Sequence, residues 1–209
     1  MNRTNTVPSL SIAILAGGEG SRFGGQDKGW LTLNGQPLIE RMLEQLAPQE
    51  QPLIINANRN LDAYARYGHR VIKDEATGFG GPLAGISAVL NEACTEWVLF
   101  VPVDAVKLPQ NFAQRMCAAM PQDGSAAEPS TVVAHDGVSI VPVACLVPTC
   151  LRENLRATLA AGQRSVREWL QAHHTIHVHF DNHPRAYWSV NTPEELRALE
   201  QPLKNHKYP

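Results

Sequence analysis

The sequence predicts an α/β fold: a mostly parallel central sheet flanked by helices in a three-layer αβα arrangement. Strand-like and helix-like segments alternate through the first hundred residues. The stretches 10–15 and 97–104 are nearly continuous apolar runs, as expected of strands covered on both faces. Polar candidates stand at the ends of these strands, where open α/β sheets bind ligands.

The elements follow in order. Residues 10–15 read as a buried strand and 37–46 as a helix; 52–56 form a second strand. A short helix near Asp62 leads to a strand at 69–74. Residues 82–93 read as a helix with Pro82 in its first turn, and 97–104 as a strand ending on a carboxylate. Beyond it come a helix at about 109–120, a loose segment at 121–130, and strands at 131–135 and 140–147. Helices are expected near 151–160 and 165–173, then strands at 175–180 and 188–190. A final helix is opened by Thr192-Pro193-Glu194-Glu195.

A chain of 209 residues is expected to make a single domain over 1–209, with no second core required. Eighteen basic and 20 acidic residues give a net charge of -2 without a block of either sign, which disfavours a nucleic-acid partner. No apolar run approaches the ~18 residues of a membrane span, and residues 1–9 lack a secretory apolar region, so a cytoplasmic location is expected; a monomer is the accompanying expectation. Cys94, Cys117, Cys145 and Cys150 form no C-x-x-C pair and read as reduced thiols.

The most informative segment is the loop after the first strand, where residues 15–29 contain six glycines together with Arg22 and Lys28. Glycines let the backbone bend around an anion, and the two cations supply countercharge for a polyphosphate. A dinucleotide fingerprint would need glycine where Phe23 stands. A Walker loop would need Lys where Gln26 stands. The loop therefore reads as a different nucleoside triphosphate cradle, against the alternative of an ordinary glycine-rich turn.

Asp104, ending an apolar strand, is costly to bury unless it meets a cation, and magnesium is the natural partner; a turn or cap aspartate would look the same. Asp74 offers two acceptors suited to a guanine edge, and Asn56 and Asn58 offer mixed donors and acceptors, although all three types also favour turns. Around Gly81 a small-residue helix start could bring backbone N–H groups to a ligand. Asn191 and Thr192 form a second polar mouth or simply a helix start. His177 and His179 share a strand face within the cluster 173, 174, 177, 179, 183, but no third ligand has a metal-like spacing, so they read as a polar face.

Six of these segments together resemble the molybdenum cofactor guanylyltransferase family, the MobA type, from about residue 11 to 199. They are 15–18, 24–29, 56–59, 80–85, the strand ending at Asp104, and 190–195. The resemblance implies a Rossmann-like nucleotidyltransferase that transfers GMP from GTP to the terminal phosphate of molybdopterin, releasing pyrophosphate with Mg2+. It implies a nucleotide-binding half at about 10–105 and a molybdopterin-binding half at about 106–200. Leu15, Ala16, Gly17 and Gly18 would line the nucleotide, Lys28 the phosphates, Asn56 and Asp74 the guanosine, and Asp104 the metal. Arg164 and Asn191 would meet the pterin, while Lys28 and Arg22 would stabilise the departing pyrophosphate. Partners implied are other molybdenum-cofactor biosynthesis proteins and acceptor molybdoenzymes. The chain departs from the family pattern at Val103, Ala105 and Ser139. A cytidylyltransferase of the related pathway, a sugar-phosphate nucleotidyltransferase, and a non-catalytic nucleotide or pterin carrier remain the competing readings.

Overall fold

The structure is a computed structural model that describes residues 8–18, 20, 23–75, 81–121 and 129–204. Strand β1 (Leu10–Leu15) leads through the glycine loop to a short 3-10 turn at Lys28–Trp30. A small hairpin, β2 (Thr32–Leu33) and β3 (Gln36–Pro37), then precedes helix α1 (Leu38–Leu46). β4 (Leu53–Asn56), α2 (Leu61–Ala65), β5 (Arg70–Ile72), α3 (Pro82–Glu92) and β6 (Trp97–Pro102) complete the first half. The second half holds α4 (Phe112–Ala118), β7 (Thr131–His135), β8 (Ile140–Pro148), α5 (Arg152–Ala160), α6 (Val166–Gln171), β9 (Thr175–His179) and α7 (Pro193–Lys204).

One seven-stranded sheet, in the order β5-β4-β1-β6-β8-β7-β9, runs through both halves. It is parallel throughout except for β8, which is antiparallel to both neighbours. Along β1 the side chains alternate: Ile12 and Ile14 join a core with Met42 of α1 and Met116 of α4, whereas Ala13 and Leu15 join a core with Val89 of α3 and Trp169 of α6. Two cores, one on each face, explain why the strands read as apolar runs rather than as alternating patterns. The chain leaves β1 towards β4 and β5 on one side and returns to β6 on the other, so the carboxyl ends of β1 and β6 flank a topological switch point.

The strand ends are level there. Leu15 lies opposite Asn56 on one side and Pro102 on the other, and Asn56 lies opposite Ile72. Gly17, Asn58, Asp74 and Asp104 each stand two residues beyond one of these partners. Residues distant in sequence thus reach one rim because four strands stop in register.

Two expectations are corrected. Residues 188–190 form no strand: after a 3-10 turn at Arg185–Tyr187 the segment runs past β6 with one backbone bond, from the Val190 N–H to the Asp104 carbonyl (3.1 Å). β8 already pairs with that edge of β6 from Trp97 to Phe100, and Pro102 has no N–H to offer. The β2–β3 hairpin was not anticipated, although Asn34-Gly35 at its tip, with φ of 54° and 80°, is the favoured two-residue turn. Leu33, next to the turn, packs with Val106, Val190 and Leu199, so the hairpin supports the segment returning past Asp104.

Candidate functional site

The site begins with how the chain presents Lys28. Asp27 is buried and caps the turn at Lys28–Trp30: its Oδ1 accepts from the Gly29 N–H (3.1 Å) and the Tyr64 hydroxyl (2.7 Å), and its Oδ2 from Asn60 Nδ2 (3.0 Å). A Cβ at position 29 would stand 2.2 Å from the Tyr64 hydroxyl oxygen, so only glycine lets this turn lie against α2. Burial, reinforced by the bond to Asp27, pushes the Tyr64 hydroxyl far above the ordinary phenol range and keeps it a donor. Arg59 donates to the carbonyls of Gly25 (2.6 Å) and Gly18 (3.2 Å), bracing two points of the glycine loop.

From this anchor Lys28 Nζ reaches Asp104 Oδ2 at 2.6 Å, a charge-assisted bond between residues 76 positions apart. Ser189 Oγ donates to the same oxygen (3.2 Å), and Asn191 Nδ2 donates to Ser189 Oγ (3.1 Å). A chain of donors from the C-terminal segment thus orients the carboxylate that the N-terminal loop neutralises. Asn191 also serves the helix behind it: its N–H donates to Glu195 Oε2 (2.7 Å), while the Glu195 N–H donates to Thr192 Oγ1 (3.2 Å), which caps the first turn.

On the other flank, both oxygens of Asp74 are held. Oδ1 accepts from Asn56 Nδ2 (2.8 Å) and Oδ2 from Asn58 Nδ2 (2.8 Å), while the Asp74 N–H donates to Asn58 Oδ1 (3.0 Å). Asn58 Nδ2 also reaches the Gly17 carbonyl (3.1 Å), tying this cluster to the glycine loop. Asn56 requires Gly85 behind it, where a Cβ would come within 2.3 Å of Asn56 Oδ1. Each Asp74 oxygen retains acceptor capacity beyond its one amide bond.

These groups line one cavity of about 540 Å³, within the ordinary range for small-molecule sites. Leu15, Ala16, Gly17, Gly18, Lys28, Asn56, Asp74, Gly81, Asp104 and Asn191, all expected from sequence, contribute to its wall. Arg164 does not: its guanidinium caps the end of α5 by donating to the carbonyls of Leu159 (2.7 Å) and Gln163 (2.9 Å). Only its backbone carbonyl comes near, 3.9 Å from the Cβ position of Gly81. Arg22 and Gly80 lie outside the described residues. Ser189 and Val143, which also line the cavity, were missed; Ser189 gave no signal, being one hydroxyl after an aromatic pair. A larger groove of about 960 Å³ lies between Trp30 and α7, but the convergent strand-end polar groups belong to the smaller cavity.

A Rossmann-like sheet with a glycine loop, a lysine–carboxylate pair and an amide-held aspartate at its switch point has the architecture of a nucleotidyltransferase. Residues 12–176 match the family of MobA-like NTP transferase domains, and the chain belongs to that family. It is 38% identical over 196 residues to a molybdenum cofactor guanylyltransferase of Shewanella loihica, covering 94% of this chain and 98% of that relative. It is 40% identical over 190 residues to one of Shewanella baltica, covering 91% and 95%. Among solved structures it resembles molybdopterin-guanine dinucleotide biosynthesis protein A of Archaeoglobus fulgidus. That match has a TM-score of 0.75 at 21% identity, covers 94% of this chain and all of that one, and speaks to the fold.

Proposed function

We propose that this chain transfers GMP from GTP to the terminal phosphate of molybdopterin, forming molybdopterin guanine dinucleotide and pyrophosphate. The observation carrying this reading is the shared cavity in which the Lys28–Asp104 pair meets the amide-held Asp74 across the glycine loop. Relatives alike over nearly their whole length bear the name of that activity.

The nucleoside rests on 15–18 at the end of β1, with Asp74 presented to the base by Asn56 and Asn58. Two acceptor oxygens side by side suit the adjacent N–H donors of a guanine edge. The triphosphate runs towards Lys28, whose ammonium moves from Asp104 to phosphate oxygens, and Arg22 adds a second cation. The pterin phosphate enters from the side of Asn191 and Ser189 and attacks the α-phosphorus in line. Positioning and charge compensation carry such a reaction, and the protein supplies no covalent nucleophile.

The donor set fits Mg2+. Among the described residues Asp104 Oδ1 has no hydrogen-bond partner, while Oδ2 is held by Lys28 and Ser189. A hard dication is commonly held by one or two carboxylates with phosphate oxygens and water. Asp104 would hold it, and its charge would offset that of the triphosphate. Among the described residues no helix is long and apolar enough to cross a membrane, and the four cysteines are free, which supports a reaction in the reducing cytoplasm.

The test is pyrophosphate release by purified protein given molybdopterin, Mg2+ and GTP, CTP or ATP in turn. Release with GTP and formation of the dinucleotide are expected. Turnover with CTP alone, or binding without turnover, would replace this reading.

A further inference from the structure

Away from the cavity, the far edge of the sheet gathers a second set of ligating side chains. β9 is the outermost strand and pairs only with β7, in a parallel register that sets His135 opposite His179 and Val133 opposite His177. The rings of His135 and His179 lie 4.5 Å apart, and that of His177 stacks 5.9 Å from His135. Two residues beyond β9 the chain turns back, bringing Asp181 Oδ1 to 3.4 Å from His179 Nδ1. One ligating atom from each of His135, His179 and Asp181 falls within 4.8 Å of the others.

We propose that His135, His179 and Asp181 form a binding site for a first-row transition dication, with zinc the best match. The donor set selects the class: two imidazoles and one carboxylate suit zinc, whereas magnesium and calcium prefer oxygen alone. Bonds of about 2.0–2.1 Å at a tetrahedral angle set neighbouring ligand atoms about 3.3 Å apart; His179 and Asp181 already stand at 3.4 Å, and His135, within 4.8 Å of both, has only a short distance to close. The third ligand that sequence spacing lacks comes from across the strand pair. His179 and Asp181 are exposed and His135 half-buried, so ions enter freely and water completes the coordination. His135 Nδ1 accepts from the Gly137 N–H (3.1 Å) at an exposed turn, which helps to set the ring beside His179. The bound ion would fasten the outermost strand to its only neighbour.

The experiment uses full-length, tag-free protein stripped with chelator and titrated with Zn2+ against a chromogenic indicator. One equivalent is expected to bind, raising Tm. His179→Ala and Asp181→Ala should each weaken binding at least 10-fold, while His69→Ala binds as the wild type does. Equal Tm of all variants without zinc verifies that the fold is intact, and magnesium-supported pyrophosphate release by His179→Ala should be unchanged. The proposal is overturned if all variants bind alike, if His69→Ala weakens binding as much as the others, or if the wild type takes up no stoichiometric zinc.

Discussion

Asp104 is the residue on which both halves of the chain converge, one through Lys28 and the other through Ser189. Asp104→Ala should retain the fold and lose at least ~10²-fold in kcat, the scale of removing one strong electrostatic contact from a transition state. Near-normal pyrophosphate release at saturating Mg2+ would refute its role. Ser189→Ala should cost less, about 5-fold, because one hydrogen bond of ~1 kcal/mol to a still-anchored carboxylate is lost. Lys28 and Asp104 could be read from sequence because a charge beside glycines or at the end of an apolar strand is conspicuous. Ser189 could not, because its importance lies wholly in a partner 85 positions away. Arg164, expected to meet the pterin, gives its guanidinium to the end of α5, as a lone arginine in a loop readily does. Among the thiols, burial pushes Cys145 up to about 12, so at pH 8 an alkylating reagent should label the exposed Cys94 and Cys150 and leave Cys145 unmodified in native protein. Mass spectrometry of tryptic peptides reads this directly.

Among the elements, the turn at Lys28–Trp30 depends on its close approach to α2. Gly29→Ala forces a methyl group against the Tyr64 hydroxyl, which Asp27 holds in place, and overpacking of this kind costs about 1–3 kcal/mol. Thermal melts should reveal that loss, and kcat should fall as Lys28 shifts. Adding Tyr64→Phe, which removes the obstructing oxygen, should recover part of the activity; no recovery would mean the turn is set by other contacts. The segment carrying Ser189 has its own fastening. His183 Nε2 lies 2.8 Å from the Lys107 carbonyl, and the ring sits edge-on to Tyr187 and Trp188. Burial holds the His183 imidazole below its ordinary 6.5, and the bond to Lys107 only partly offsets this. Folding therefore favours the neutral ring: its contribution is present above pH 6.5 and lost as pH falls through the lowered value. Between pH 7 and 5 the wild type should lose more Tm than His183→Gln, and equal slopes would exclude this group. The parallel strands were legible from their unbroken apolar runs. The strand expected at 188–190 failed because pairing depends on a vacant neighbour, which local sequence does not encode.

The seven-stranded sheet lies between two apolar layers, and stability should respond to either. Phe100, fully buried on the α3 side, should cost about 3–5 kcal/mol when replaced by Ala, measured by urea denaturation with the slope unchanged. Only a minor loss would mean that the helices collapse into the gap. The level carboxyl ends of β1, β4, β5 and β6 have a consequence for how such a chain can change over time. Apolar exchanges in these strands before their last residues keep the ends level, whereas deleting a single residue from β6 would carry Asp104 half a pleat out of phase with Gly17, Asn58 and Asp74. Descendants of this chain are free to drift in composition there but not in strand length, and insertions should accumulate where no strand must keep step with its neighbours.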